Sequence, residues 1–275
     1  MCGTGKLCLP KSRTSILQIK MKKYISLLFC VCFVLVVACN SKHTNNPTKT
    51  EDSAEASEFY KKGVDALNQQ NYEQALTLFI KASEMGNAEA MNDLGVMYSE
   101  GIGVVQDYSK AFEWYNKAAQ AGLPIAQASL GICYQFGEGT DIDLQKAVEW
   151  YKKSAEQGDK RGQYNLGNCY FFGNGIAKDY RTANKWYLKS AEQGYAMAQY
   201  CMGMSYYFGD GINQDYKEAV KWFNLSAEQG YDKAQYSLGL CYSKGRGVEQ
   251  NTELALKYYT LAAKQGNEKA IKALE

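Results

Sequence analysis

The sequence contains a single histidine, His43, and only three prolines among its 275 residues. Beyond that position the chain therefore cannot form a Ser-His-Asp or Cys-His catalytic arrangement, or a zinc site that uses histidine. The scarcity of proline removes the residue that most strongly breaks helices. These absences favour an all-helical protein that is not an enzyme, with no catalytic residue, no metal ligand and no cofactor to assign.

A strong charge of one sign is also missing. The formal net charge is +2, and residues 1–39 contribute basic residues without any acidic one. The rest of the chain is therefore slightly acidic. Because nucleic-acid-binding proteins present a basic surface that neutralises phosphates, the sequence predicts no nucleic-acid partner.

The long hydrophobic run of the chain lies at residues 24–38 and follows Lys22 and Lys23. A basic segment before about fifteen apolar residues is typical of a secretory signal and is short for a membrane span. The run ends in Val-Val-Ala-Cys at 36–39, which resembles the lipobox of bacterial lipoproteins. That resemblance implies that residues 1–39 hold a signal peptide and that Cys39 is lipidated. An ordinary signal peptide or an uncleaved anchor is the alternative.

The segments on either side of this signal complete the prediction for the N-terminal region. Residues 1–20 fit poorly in front of a signal peptide, so translation is predicted to start at Met21. Residues 40–57 contain no aromatic and no large aliphatic side chain, which predicts a disordered tether. The lipoprotein resemblance implies anchoring at the bacterial cell envelope, and Asn40 favours the outer membrane or the periplasmic face. Secretion is the alternative.

The remainder of the chain is an internal repeat of 36 residues. Glycines that follow Leu or Met recur at this spacing, at Gly95, Gly131, Gly167, Gly203 and Gly239. Tyrosines follow in step, at Tyr98, Tyr134, Tyr170, Tyr206 and Tyr242. Tryptophans do the same, at Trp114, Trp150, Trp186 and Trp222, with Tyr258 in the fifth place. Coincident series of this kind indicate stacked copies of one supersecondary unit.

Each repeat has the pattern of two helices joined by a short Gly-x-Gly loop. In one unit the apolar residues of 126–136 have helical spacing, and Gly137 can take the left-handed conformation that ends a helix. Asp143 is a good N-cap for the second helix, which ends before Gly158. A glycine inside a helix, such as Gly131, costs about 0.5–1 kcal/mol relative to alanine. We expect close packing against the alanine series of the second helix to offset that cost.

The pattern AQYxLGxxYxxGxGxxxDxxxAxxWYxKSAEQG resembles the Sel-one-like repeat, a relative of the tetratricopeptide repeat. The resemblance implies an all-α fold, a right-handed α-solenoid (superhelix) of helix-turn-helix repeats of 36 residues. It covers residues 88–267 as five repeats. Residues 58–87 resemble a tetratricopeptide repeat without the Gly-x-Gly loop, and residues 268–275 are predicted to form a terminal cap over the last pair.

Two features of the repeats could carry chemistry. The Gly-x-Gly pairs lack the third glycine and the Lys-Ser/Thr of phosphate-binding loops, so they are predicted to be turns. Cys133, Cys169 and Cys241 share one repeat position and are predicted to be buried thiols without disulfides, because neighbouring repeats hold them too far apart. Cys201 occupies a different position and is predicted to be a partly exposed thiol.

A cysteine-rich branch of the resembled family binds penicillin-like compounds. A penicillin-binding or β-lactamase-like enzyme is therefore an alternative function for this chain. The sequence lacks the second cysteine per repeat of that branch, and it lacks the Ser-x-x-Lys motif of serine β-lactamases. The prediction therefore remains a protein that is not an enzyme.

The aromatic residues fall into two groups. The tryptophan series and the aromatic residue after each member are predicted to fill the core between helix pairs. By analogy with tetratricopeptide repeats, other positions of the first helix line a concave groove. In this sequence those positions hold Tyr164, Phe171, Tyr200, Met204, Tyr207 and Tyr236. Aromatic and methionine side chains are enriched in binding hot spots, although burial by the next helix is the alternative for some of them.

The resemblance implies a protein–protein interaction scaffold or adaptor that is anchored at the cell envelope. Its partner would be a protein or peptide segment held in the groove. A secreted effector that acts on a host factor is the other alternative.

Overall fold

The structure is a computed structural model that describes residues 47–275, with side chains from residue 53 onward. Every regular element within that range is an α-helix. In chain order the helices are α1 Pro47–Asn68, α2 Tyr72–Glu84, α3 Ala88–Glu100, α4 Tyr108–Gln120, α5 Pro124–Phe136, α6 Leu144–Glu156, α7 Lys160–Phe172, α8 Tyr180–Glu192, α9 Ala196–Phe208, α10 Tyr216–Glu228, α11 Asp232–Lys244, α12 Thr252–Lys264 and α13 Glu268–Leu274.

The helices form six pairs, from α1/α2 to α11/α12, and α13 packs on the last pair. Within a pair the first helix lies against the second, and the second lies against the first helix of the following pair. The first helices α5 and α7 of adjacent pairs also touch. This sequential packing is that of an α-solenoid, and it confirms the predicted all-α architecture of 36-residue repeats.

The predicted helix ends are confirmed. The carboxylate of Asp143 accepts a hydrogen bond of 3.0 Å from the backbone N–H of Lys146, in the first turn of α6. Gly137, after α5, has φ +73° and donates its backbone N–H to the carbonyl of Cys133. Asp107, Asp179, Asp215 and Asn251 cap the other second helices in the same way.

The N-terminal helix differs from the prediction. The disordered tether predicted for residues 40–57 does not hold for residues 47–57, which belong to α1. Proline suits the first position of a helix because its missing N–H has no partner there, and Pro47 occupies that position. Ala56 is buried, so packing adds to the helix propensity of the segment. The predicted signal peptide, Cys39 and His43 lie outside the described residues.

The glycine inside each first helix lies under an aromatic ring of the second helix. A β-carbon added to Gly131 would lie 2.5 Å from the ring of Tyr151, which is fully buried. Equivalent contacts join Gly95 to Tyr115, Gly167 to Tyr187, Gly203 to Phe223 and Gly239 to Tyr259. The expectation of close packing is correct. The nearest partner is an aromatic ring in every case, and a member of the alanine series, Ala183, adds a backbone contact only at Gly167. Burial of the ring contributes stability that offsets the low helix propensity of the glycine.

The tryptophans are less buried than predicted. The aromatic residue after each tryptophan is buried, as expected of a core residue. The tryptophan itself is half-buried and packs against the edge of a core cluster. The Lys153 ammonium group lies 3.9 Å from the centre of the Trp150 ring, and Lys189 lies 4.4 Å from that of Trp186. The ammonium groups thus lie over the tryptophan rings as cation–π partners, and both lysines remain exposed to water.

The second glycine of each Gly-x-Gly loop is a site of close approach between repeats. Gly139 has φ +75°, and a β-carbon there would lie 2.1 Å from the carbonyl oxygen of Tyr108, at the start of the preceding second helix. Both the backbone conformation and the space require glycine. The loops are turns, as predicted.

A ladder of glutamine pairs, each with a buried member in the first helix and a more exposed member at the end of the second, links successive repeats. The side-chain amide of Gln193, at the end of α8, donates to the side-chain oxygen of Gln163 in α7, at 2.8 Å. The amide of Gln163 in turn donates to the backbone carbonyl of Ala155, in the preceding repeat, at 3.4 Å. The same arrangement recurs with the pairs Gln127/Gln157, Gln199/Gln229 and Gln235/Gln265. Each pair satisfies buried polar groups that would otherwise be costly.

Substitution of Gly131 tests the contact between glycine and ring. Gly131→Ala is expected to lower the free energy of unfolding by about 1–3 kcal/mol, because overpacking against Tyr151 outweighs the helix propensity of alanine. Urea titration followed by far-UV circular dichroism measures this change. In a Tyr151→Ala background, the same Gly131→Ala substitution should be neutral or stabilising. An equal loss in both backgrounds would show that the ring is not the cause.

Removal of one glutamine tests the ladder. Gln163→Ala removes the hydrogen bond from the Gln163 amide to the Ala155 carbonyl and one acceptor of the Gln193 amide. Because Gln193 is exposed and also donates to the Gly158 carbonyl, the expected cost is that of ordinary hydrogen bonds, about 0.5–1.5 kcal/mol of unfolding free energy. The repeat 88–123 provides the matched control, since it has Met91 and Ala121 at the two ladder positions. The double variant Gln163→Met/Gln193→Ala should therefore lose less stability than Gln163→Ala in the same urea titration. A double variant as unstable as the single one would contradict this account.

Candidate protein-binding face

Three consecutive first helices are almost free of charge. Helices α5 and α9 contain no charged residue, and α7 contains only Lys160 and Arg161, at its start. The second helices of the same repeats, α6, α8 and α10, each carry four or five charged residues. We call the exposed and half-buried side chains of α5, α7, α9 and α11 the first-helix face. The near absence of charge in α5, α7 and α9 sets this part of the face apart from the charged surface of the second helices, whereas α11 carries Asp232, Lys233 and Lys244.

Tyr164 and Phe171 lie on this face in α7, and both are half-buried. The Tyr164 ring meets that of Tyr195 edge to face, with centroids 5.3 Å apart. The Phe171 ring lies 4.8 Å from the Tyr180 ring and 5.0 Å from the Phe172 ring. Packing therefore fixes the position of both predicted residues and leaves part of each surface accessible.

Tyr200, in α9, is placed differently from the other predicted groove residues. Its side chain is only 5% exposed, and its ring lies 5.9 Å from that of Phe223 and 5.3 Å from that of Tyr231. The structure thus places Tyr200 in the core between two repeats. Met204 is half-buried and packs against the same core cluster as Tyr200, whereas Tyr236 is half-buried against the next cluster, around Tyr259.

Tyr207 is held by an arginine from the next repeat. The Arg246 guanidinium donates a hydrogen bond to the Tyr207 hydroxyl and lies 5.4 Å from the centre of its ring. It also lies 5.5 Å from the centre of the Tyr216 ring. The hydrogen bond with Tyr207 raises the pKa of Arg246 above its ordinary value. The arrangement fixes one cation against two rings at the C-terminal part of the face.

Sequence reasoning did not identify Arg246 as part of this face. The available signal was the middle residue of the Gly-x-Gly loops, where Arg246 is the basic member of a series that is otherwise Ile102, Glu138, Asn174 and Asp210. The exposed phenylalanines at the ends of the first helices were also missed. Phe136 is 44% exposed and Phe208 is 56% exposed.

Cys133, Cys169 and Cys241 are buried thiols and Cys201 is half-buried, all as predicted. All four are free of disulfides. Burial raises the pKa of Cys133 and Cys169 to about 12 and that of Cys241 to about 11. These groups are therefore uncharged at neutral pH, and an uncharged thiol is a poor nucleophile.

Residues 47–275 contain no cluster of three or more His, Cys, Asp or Glu side chains arranged to bind a metal ion. Among their helices, none has the length and the apolar composition of a membrane span.

The 36-residue unit matches a known repeat. The family model of the Sel1 repeat matches residues 54–87, 88–123, 124–159, 160–195, 196–231 and 232–267. The first of these segments includes the shorter N-terminal unit that lacks the Gly-x-Gly loop.

Solved structures show the same likeness. A Sel1 repeat protein from Oxalobacter formigenes is 40% identical, over 78% of this chain and 88% of that chain, with a TM-score of 0.74. A protective antigen of uropathogenic Escherichia coli with an SLR fold is 35% identical, over 84% of this chain and 51% of that chain, with a TM-score of 0.71. The present chain thus spans about half the length of that antigen.

A more distant likeness concerns the fold alone. An immunity protein from Pseudomonas aeruginosa is 20% identical, over 86% of this chain and 89% of that chain, with a TM-score of 0.54. No curated protein sequence matches the chain.

Proposed function

The chain belongs to the Sel1 repeat family, whose repeats generally mediate protein–protein interactions, and we propose that it is a non-catalytic scaffold that binds a protein or peptide segment on its first-helix face. The observation that carries the proposal is the absence of charge from α5 and α9, and from α7 beyond its first two residues. Half-buried aromatic and methionine side chains occupy this surface in place of charges. Depletion of charge with enrichment of aromatic residues and methionine is the composition of an interface core.

The packing of these side chains supports a binding role. Tyr164, Phe171 and Tyr207 are each held by neighbouring rings, so little conformational entropy is lost when a partner covers them. Tyr200 supports the face from beneath, since it is buried between Phe223 and Tyr231. The face is therefore an organised surface, which favours binding through a preformed site.

Anchoring at the cell envelope is part of the proposal. Lipidation of Cys39 would attach the scaffold to a membrane without a spanning helix, with the outer membrane or the periplasmic face as the favoured location. Each buried methylene contributes about 0.8 kcal/mol, and a second acyl chain makes the attachment stable. The scaffold would then hold its partner close to the membrane surface.

Photocrosslinking in cells tests the proposal. A benzophenone amino acid in place of Tyr164 or Tyr236 is expected to link the chain to one discrete protein. The same amino acid in place of Lys185 or Lys221, which are exposed on second helices, should not. In a Cys39→Ser background, the crosslinked complex should leave the membrane fraction.

The controls define the outcomes that would contradict the proposal. Equal crosslinking from the first-helix and second-helix positions would mean that the face is not selective. No crosslinked protein from either first-helix position would argue against a binding role. A complex that stays in the membrane fraction after Cys39→Ser would refute the lipid anchor and leave the binding face standing.

A further inference from the structure

One repeat position forms a row with opposite charges at its two ends. The last residue of five consecutive first helices is Glu100 in α3, Phe136 in α5, Phe172 in α7, Phe208 in α9 and Lys244 in α11. Each is followed by a glycine in the left-handed conformation. The row therefore places an acid, three phenylalanines and a base in matching local geometry along the solenoid.

The fold does not require phenylalanine at this position. Glu100 and Lys244 are exposed and end their helices in the same way as the phenylalanines. Phe136 and Phe208 are 44% and 56% exposed, so much of each ring faces water. Single exposed apolar residues are common, but several in register along one edge indicate an interaction surface.

Neighbouring charges reinforce the sign at each end of the row. At the acidic end, burial and, after it, the negative charge of Glu100 raise the pKa of Glu138 above its ordinary value. At the basic end, Arg246 follows Lys244 by two residues and lies on the Tyr207 ring. Asp210, beside Phe208, has Lys178 as a nearby opposite charge.

The spacing of the row limits the shape of a partner. The first helices α5 and α7 touch, and helices in contact lie about 8–10 Å apart, which gives an interval of that order between Phe136 and Phe172. An extended polyproline II segment advances about 9 Å in three residues and returns every third side chain to the same side. Such a segment could place one apolar side chain on each phenylalanine.

We propose that this row binds an extended segment of a partner protein that has an apolar side chain at every third residue, a basic end over Glu100 and an acidic end over Lys244. The inference rests on the proposed scaffold function and specifies the chemistry of its partner. Apolar burial on the rings would supply most of the affinity, and the two charged ends would select the partner.

Fluorescence anisotropy with a synthetic probe tests the row. The probe has two lysines, then three leucines separated from each other and from the charged ends by pairs of prolines, then two glutamates. The chain should bind it about tenfold or more tightly than an analogue with serine for leucine, since each tenfold step needs only about 1.4 kcal/mol. The double variant Phe136→Ser/Phe208→Ser should lose a similar factor. The matched control Leu225→Ser/Leu261→Ser removes apolar side chains that are 45% and 37% exposed on second helices, and it should bind like the parent chain.

A charge reversal tests the two ends. The double variant Glu100→Lys/Glu138→Lys makes both ends basic, so it should prefer a probe with glutamates at both ends over the mixed probe. The parent chain should show the opposite preference. All variants should keep the thermal unfolding midpoint of the parent within a few degrees, because the side chains are exposed or half-exposed.

Two results would contradict the proposal that the row binds a partner segment. One is equal binding of the mixed probe and its serine analogue by the parent chain, and the other is unchanged binding after Phe136→Ser/Phe208→Ser. If crosslinking through Tyr164 and Tyr236 still succeeds, such a result refutes binding by the row and leaves the proposed scaffold function intact. Failure of the crosslinking refutes the scaffold function itself.

Discussion

The contact between a glycine of the first helix and an aromatic ring of the second sets the geometry of every repeat from 88 to 267. At Gly131 there is no room for a β-carbon above Tyr151, so the two helices can approach only because the side chain is absent. The helix propensity lost at the glycine is offset by burial of the ring. With the helix separation fixed in this way, the ends of both helices and the loop between them fall into the same positions in each repeat.

Polar contacts then join one repeat to the next. The glutamine pair Gln163/Gln193 reaches the carbonyl of Ala155 in the preceding repeat, and Gly139 lies on the carbonyl of Tyr108. Both contacts are local to neighbouring repeats, so stability accumulates along the array. The second helices meet water through charged residues and lysine-covered tryptophans. The first helices need no charge for the fold, and this leaves their exposed positions available for recognition.

Much of this architecture could be predicted from the sequence, because a periodic pattern repeats each local signal several times. The caps at Asp143 and Gly137 follow directly from residue type. The packing partner of Gly131 was predicted wrongly, since spacing shows that two helices approach but not which side chain fills the gap. The glutamine ladder was missed because its members lie thirty residues apart in the chain, although Met91 and Ala121 depart together from the pattern. Tyr200 and Tyr164 occupy the same position of the repeat but differ in burial. Burial depends on the side chains that surround each tyrosine, and the repeat pattern does not reveal these.

We propose that the second helix of each repeat provides a charged, soluble surface and that the first helix provides the recognition surface. Hydrogen–deuterium exchange tests this division most directly, on the chain alone and bound to the protein that crosslinks through Tyr236. Added protection should fall on residues 124–136, 160–172 and 196–208, which form first helices. Protection confined to the second helices 144–156, 180–192 and 216–228 would contradict it.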